Sequence, residues 1–248
     1  MNLTATQGQV TQVQFTIQQF EEIFRLQGEA NDVMSDAWRT SSNNQIPYYR
    51  ASWIEFAEAL MHIGFKWWKK EHKTEESFKE AVEQSIMEIV DVMHFAASDY
   101  IRSDRGFPTK SEYPYQVSMD NSGELEYNEM WNSTDIREVI EQAVADIILR
   151  KSVRWCWINM LAECFGVDEN KLYGMYLGKN VLNKFRTTHG QREGTYAKIW
   201  DGMEDNVYLT QFIETATNDG IGFTANSLEL YLTDLYTHYT QNNATRMG

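Results

Sequence analysis

Proline is nearly absent from this sequence: three residues in 248, alongside 14 glycines. A chain with so few punctuators favours long helices over many short strands joined by turns. Cysteine is scarcer still. Cys156 and Cys164 stand eight apart, a spacing that fits neither a CxxC redox motif nor a zinc site, so both read as reduced, buried thiols of a cytoplasmic protein. No run comes near the roughly 20 apolar residues of a membrane span. The opening "MNLTATQGQVTQ" lacks the basic start and apolar run of a signal peptide. Positive charge is in deficit, with 22 Lys and Arg against 36 Asp and Glu and a formal net charge of −14. A groove that tracks nucleic acid must neutralise many phosphates, so this balance argues against a polynucleotide partner. A small phosphorylated ligand is not, because it needs only a local patch.

What is present is apolar bulk: 42% hydrophobic and 13% aromatic residues, enough to bury a sizeable core, read here as a single catalytic domain over 1–248. Helical spacing of Phe15, Ile23, Leu26 and Met34 predicts a first helix over about 15–38. A loop over 41–50 carries Pro47, and a second helix follows from about 49 to 71. A third, about 75–101, places Val82, Ile86, Ile89, Val90, Met93 and Ala97 on one stripe. Residues 102–132 hold two of the three prolines and read as a long irregular insertion or flap. Helix resumes over 133–165, where "STDIRE" has the form of an N-cap with acids in the first turn. "GVDENKLYGMYLGKNVLNKF" is another helix after a glycine stop. "RTTHGQREGTYAKIWDGMEDN" reads as an ordered loop with a short helix, and 207–248 as short C-terminal helices. No repeat and no alternating strand pattern is evident, so the expected class is all-α.

The second helix carries the first chemical signal. In "WIEFAEALMHIGFKWWKK" apolar side chains surround one narrow polar stripe of Ser52, Glu55, Glu58, His62, Lys66 and Lys69. A surface helix has a broader polar face, so these carboxylates are expected inside the protein or lining a cavity. The next helix repeats the device with Glu88 and Asp91, again at i and i+3, with 29 residues between Glu58 and Glu88. A single E-x-x-E is usually a solvated face. Two such pairs on apolar helices that pack antiparallel make a cage of hard oxygens, which suits Mg²⁺ completed by waters and substrate phosphates. No His or Cys at matching positions favours zinc.

The second signal is a basic island at 179–198, with Lys179, Lys184, Arg186, Arg192 and Lys198 against one acid, Glu193. Lys179, Asn183 and Arg186 fall at i, i+4 and i+7 on one helix face. Fixed donors and positive charge of this kind hold a di- or triphosphate; the bland alternative is a patch that balances acids within the molecule. Together the two signals predict a metal-dependent reaction at a phosphate anhydride, with Mg²⁺ activating a water and neutralising the leaving group.

The pairing of Glu55-x-x-Glu58 with Glu88-x-x-Asp91 resembles the metal motif of all-α nucleoside triphosphate pyrophosphatases. Within that group "HIGFKWWKK", "DVMHF" and "KNVLNKFRTTHGQREGTYAKIWDGMEDN" resemble the dimeric dUTPases, over roughly 20–101 and 150–215. The resemblance implies an all-α helical bundle, a homodimer, and Mg²⁺-dependent hydrolysis of dUTP and dUDP to dUMP. It implies metal ligation by Glu55, Glu58, Glu88 and Asp91, with Glu55 also orienting or deprotonating the water. Gln27 and Asn31, at i and i+4 in "LQGEAN", correspond to an amide pair that reads the uracil edge. Lys179, Asn183, Arg186, Arg192 and Lys198 would hold phosphates, and Asn206 would complete the nucleotide contacts. Phe95 would pack on the base, with Trp67 a further aromatic contact; both are by default core residues. The family usually has Tyr-Lys where this chain has Gln191-Arg192, which keeps the charge and loses the phenol. Two alternatives stay open: a phage-type dCTP/dUTP pyrophosphatase, and a non-catalytic nucleotide-binding regulatory protein.

Overall fold

The computed structural model describes residues 15–69, 74–102, 135–219 and 221–247. Eight α-helices and one two-residue hairpin make up the regular structure among them: α1 (Ile17–Met34), α2 (Tyr48–Ile63), α3 (Glu75–Arg102), α4 (Ile136–Arg150), α5 (Trp155–Cys164), α6 (Glu169–Thr188), β1 (Ile199–Trp200), β2 (Met203–Glu204), α7 (Asp205–Asn218) and α8 (Ala225–Met247). A 3₁₀ turn, Trp38–Thr40, follows α1. The all-α class is therefore the observed one. The expected insertion over 102–132 falls, apart from Arg102, outside the described residues.

Local chemistry sets most boundaries. A capping box starts α1: the Thr16 hydroxyl accepts from the Gln19 amide, and the Gln19 side chain accepts from the Thr16 amide. Asp135 and Asp168 cap α4 and α6 through Arg137 N and Lys171 N. Four expectations are corrected. The second helix does not continue to 71; it ends at Ile63 because Gly64 takes φ 83°, a C-terminal stop that a residue with a Cβ disfavours. Lys66 and Lys69 therefore leave the polar stripe. The helix expected over 133–165 is two, broken after Arg150 where Lys151 adopts the left-handed conformation. The short helix expected in the 186–206 loop is instead a hairpin, pairing Ile199 with Glu204 and Trp200 with Met203. Asp201 and Gly202 both have positive φ, the two-residue turn that fits strand twist. The C-terminal helices are also longer than expected, at 14 and 23 residues.

Two apolar clusters hold these pieces. The larger joins Phe20 and Ile23 of α1, Phe56 and Ile63 of α2, the Ile89–Val90–Met93 stripe of α3, and Ile140, Trp155 and Tyr176 from α4, α5 and α6. Fully burying a side chain such as Phe56 or Ile89 is worth about 1.5–3 kcal/mol. The smaller joins Phe185 of α6 to Trp200 of the hairpin, Leu209 of α7 and Leu232 of α8. Helices α2 and α3 run antiparallel, since Glu55 meets Asp91 while the Ala59 carbonyl, further along α2, accepts from Ser85, further back on α3. Helix α6 packs on both α1 and α3. This three-way junction of α1, α3 and α6 positions the site.

Candidate active site

The acids of α2 and α3 converge. One carboxylate oxygen from each of Glu55, Glu88 and Asp91 lies within 4.8 Å of the others, and all three residues are half-buried. Glu58 stands one step out: it is exposed, and its charge reaches Glu55 and Asp91. Burial, then the charges of Asp91, Glu88 and Glu58, push the Glu55 carboxyl up to about 8. Glu88 and Asp91 are raised too, chiefly by burial, against the opposing pull of His62 on the first and Lys179 on the second. His62 Nε2 is 3.0 Å from Glu88 Oε1, and Lys179 Nζ is 3.0 Å from Asp91 Oδ2. Three crowded carboxylates facing so little positive charge among the described residues resist ionising together. A divalent cation relieves that conflict, and an all-oxygen donor set fits a hard one.

From the acids a polar seam leads inward. On α3 the residues Asp91, His94 and Ser98 follow at helical spacing; α6 contributes Tyr176, Lys179 and Asn180, and α1 contributes Gln27 and Asn31. Gln27 and Asn31 are both buried and bonded to each other, Gln27 Nε2 to Asn31 Oδ1 at 3.0 Å. Gln27 Oε1 faces His94 Nδ1 at 2.8 Å, the Tyr176 hydroxyl at 3.1 Å and Asn180 Nδ2 at 3.4 Å. His94 lies stacked on Tyr176, with ring centroids 4.4 Å apart. Burial pushes its imidazole down to about 3, so it is neutral. Its Nε2 is buried and has no hydrogen-bond partner among the described residues.

The basic island divides. Lys179 points at the acids. Asn183 is half-buried one turn further along α6. Arg186 is bound in a fork by Asp205, with Nε to Oδ2 at 2.8 Å and Nη2 to Oδ1 at 2.7 Å, although its charge still reaches Asp91. Tyr196 also donates to Asp205, at 2.7 Å. Burial would raise the Asp205 carboxyl, but these bonds outweigh it and hold it below the ordinary range. The Asn206 amide N–H donates to Asp205 Oδ1, while Asn206 Oδ1 is buried without a partner. Arg192 bonds the Met34 carbonyl at the end of α1. Lys198 is exposed, and its carbonyl accepts from Asp205 N.

Of the aromatics, Phe95 is half-buried beside Tyr48, with centroids 6.4 Å apart. Trp67 lies beyond the end of α2, 90% exposed, edge-on to Trp68. The structure thus gathers Glu55, Glu88, Asp91 and Lys179, gathers Gln27 with Asn31, and joins Arg186 to Asn206 through Asp205. It leaves Trp67 apart. Sequence reasoning gives no role to His94, Ser98, Tyr176 or Asp205, and reads Asn180 only as a hydrogen-bond donor of the basic island. The α3 spacing Glu88–Asp91–His94–Ser98 was the available signal for two of them.

A family model described as dUTPase matches residues 19–191, well over half of the chain and spanning α1 through α6. No curated protein matches the chain.

Proposed function

We propose, from the premise that this chain belongs to the dUTPase family and is a dUTP diphosphatase, that it hydrolyses dUTP and dUDP to dUMP with Mg²⁺ held by Glu55, Glu88 and Asp91, Glu58 assisting from the rim. The convergence of three carboxylate oxygens within 4.8 Å, faced by Lys179, carries this reading. Bound Mg²⁺ supplies positive charge that acidifies a water and offsets charge on the phosphate oxygens.

The chain's own part follows from its electrostatics. Hydrolysis forms a bond from water oxygen to phosphorus and breaks the bond to the leaving phosphate oxygen. Glu55 accepts the water proton. A cation among the acids would favour its ionised form, the form that can take a proton. Lys179 stands beside the acids, where the phosphate chain would lie, and donates to its oxygens. Asn183, Arg186, Arg192 and Lys198 extend that donor row, and Asn206 completes the nucleotide contacts, its side-chain oxygen as an acceptor. Gln27 and Asn31 read the base at the inner end of the seam, with Phe95 against its ring and Trp67 closing from outside. The protein acts as a cytoplasmic homodimer. Ile54 and Met61, exposed on the outer side of α2 and followed by Trp68, give a second copy an apolar face to cover.

The test is direct. The purified protein is incubated with each deoxynucleoside triphosphate and with dUDP, with Mg²⁺ or with EDTA, and the monophosphate released is measured. Mg²⁺-dependent release of dUMP with other bases spared is expected. Equal turnover of dCTP would move the substrate class to dCTP/dUTP, and no turnover of any nucleotide would sink the catalytic reading.

A further inference from the structure

The buried amides behind the acid cluster belong to a closed ring of hydrogen bonds, and its direction can be deduced. Ser98 Oγ lies 2.7 Å from the His94 carbonyl, which can only accept, so Ser98 donates there. With its proton committed, Ser98 can only accept from Asn31, 2.9 Å away, so Asn31 must present its NH₂ group. Asn31 Oδ1 then faces Gln27, which must present its own NH₂, at 3.0 Å. Gln27 Oε1 is thereby turned to His94, whose Nδ1 carries the proton and donates at 2.8 Å. The four bonds run one way round: His94 to Gln27, Gln27 to Asn31, Asn31 to Ser98, Ser98 back to His94. Asn180 Nδ2 adds a second donor to the same Gln27 oxygen and occupies its other lone pair, while the single proton of the Tyr176 hydroxyl is shared with the Ile23 carbonyl at 3.0 Å. The Tyr48 hydroxyl, which also meets Ser98, is held protonated by burial and can serve the remaining lone pair there. Bonds oriented head to tail polarise one another, so reversing any one amide breaks two bonds in a buried setting.

We infer that His94 and Ser98 are positioning residues that lock the Gln27 and Asn31 amides in one orientation, and that this lock selects uracil over cytosine. The inference rests on the base-reading role given to Gln27 and Asn31 above. In the locked ring Gln27 has one N–H left and no free oxygen lone pair. Asn31 has one N–H and one lone pair left. Uracil offers a carbonyl at position 4 and an N–H at position 3, which these groups match. Cytosine held in the same pose sets its amino group against the N–H that meets the uracil carbonyl and its bare nitrogen against the Asn31 lone pair, so both contacts fail unless the amides flip. A free amide pair could turn to suit either base; a locked pair cannot.

The experiment compares kcat and KM for dUTP and dCTP in the wild-type chain and in His94→Phe, His94→Asn and Ser98→Ala, each with Mg²⁺. Phe keeps the ring stacked on Tyr176 and removes the donor, whereas Asn can restore an N–H near the position of Nδ1. We expect the dUTP/dCTP ratio of kcat/KM to fall about 10- to 100-fold in His94→Phe and Ser98→Ala, the range set by one unsatisfied buried partner. The fall should come mainly through KM, and His94→Asn should recover part of it. A ratio unchanged in Ser98→Ala overturns the inference, and that variant removes one oxygen atom, so it stays informative if His94→Phe does not fold. Wild-type protein that turns over neither nucleotide would instead overturn the proposed function, a separate outcome. A ratio that falls equally in all three variants, Asn included, would reduce His94 to a packing role.

Discussion

Two clusters of charge lie along the same helix, α6, and they are built on opposite terms. Around Asp205 every demand is met: Arg186 in a two-bond fork, the Tyr196 hydroxyl, and a backbone N–H all reach one fully buried carboxylate. Its proton affinity is held low. Around Glu55 the demands conflict: three carboxylates crowd one another, and Lys179 and His62 answer only two of them. Its proton affinity is pushed up to about 8. A satisfied cluster fixes structure, whereas an unsatisfied one is kept where a ligand will complete it. The hairpin and α7 are pinned by the first; the chemistry is assigned to the second.

The largest effect should come from removing the conflict. Glu55→Gln should lower kcat by about 10²–10⁴-fold, the range for loss of a general base. The same change should raise the melting temperature of the metal-free protein at pH 8.5, because a neutral amide replaces a carboxyl that resists ionising. Activity assays beside a thermal melt in EDTA check both parts. A loss of activity with a fall in melting temperature would make Glu55 a structural residue. Asp205→Asn should do the reverse to the other cluster. It leaves Arg186 buried without its counter-charge, and breaking such a pair costs about 3–5 kcal/mol. Urea denaturation with an unchanged slope would measure it, and a loss below about 1 kcal/mol would mean Arg186 finds another acceptor.

The asymmetry between the clusters also bears on what was legible in the sequence. The acid pairs could be read because each stands at i, i+3 on a helix whose other faces are apolar, and α3 appears within one residue of its expected span. Helix α2 was overrun because an apolar stretch continues past it; the stop lies in the backbone of Gly64, and "HIGFKWWKK" still looks helical by pattern. The hairpin was missed although "WDGM" carries the Asp-Gly turn signal, because its strands are too short to show alternation. Asp205 could not be found from spacing. It lies 19 residues from Arg186, and nothing local announces the pair. Likewise His94 lies within "DVMHF", but its bond to Gln27 spans 67 positions. Local periodicity reveals faces; it does not reveal which faces meet.

A smaller effect separates the clusters by pH. Glu55 holds a proton up to about 8 in the folded protein, whereas an ordinary glutamate releases it near 4.5. The folded state therefore binds more protons than the unfolded chain across that window. By linkage the stability from this group is full below about pH 4.5 and is lost as pH rises towards 8. Asp205 has the opposite sign: its lowered carboxyl contributes stability that is present above the ordinary range and lost on acidification. Mg²⁺ should cancel the first trend, since a cation among the acids favours the ionised form. Melting temperatures from pH 5 to 9, with Mg²⁺ and with EDTA, should diverge with rising pH. Parallel curves would mean the cation does not bind at Glu55.

The least effect is expected from a network that looks as good as that of Arg186 on paper. Arg25 reaches Glu29 at 2.6 Å and Glu22 at 2.8 and 3.2 Å on the outside of α1. The geometry is close, but its side chain is 49% exposed, where Arg186 is 11% exposed. Water screens the attraction, and ordering three long side chains offsets most of what remains. Arg25→Gln should therefore cost at most about 1 kcal/mol, and the difference should vanish in high salt, where the screening length falls to about 3 Å. The Asp205→Asn loss should persist there, because no salt reaches a carboxylate with no exposed surface. If both losses respond to salt alike, the Arg186–Asp205 pair is open to solvent, and burial is not what distinguishes the satisfied cluster from any surface ion pair.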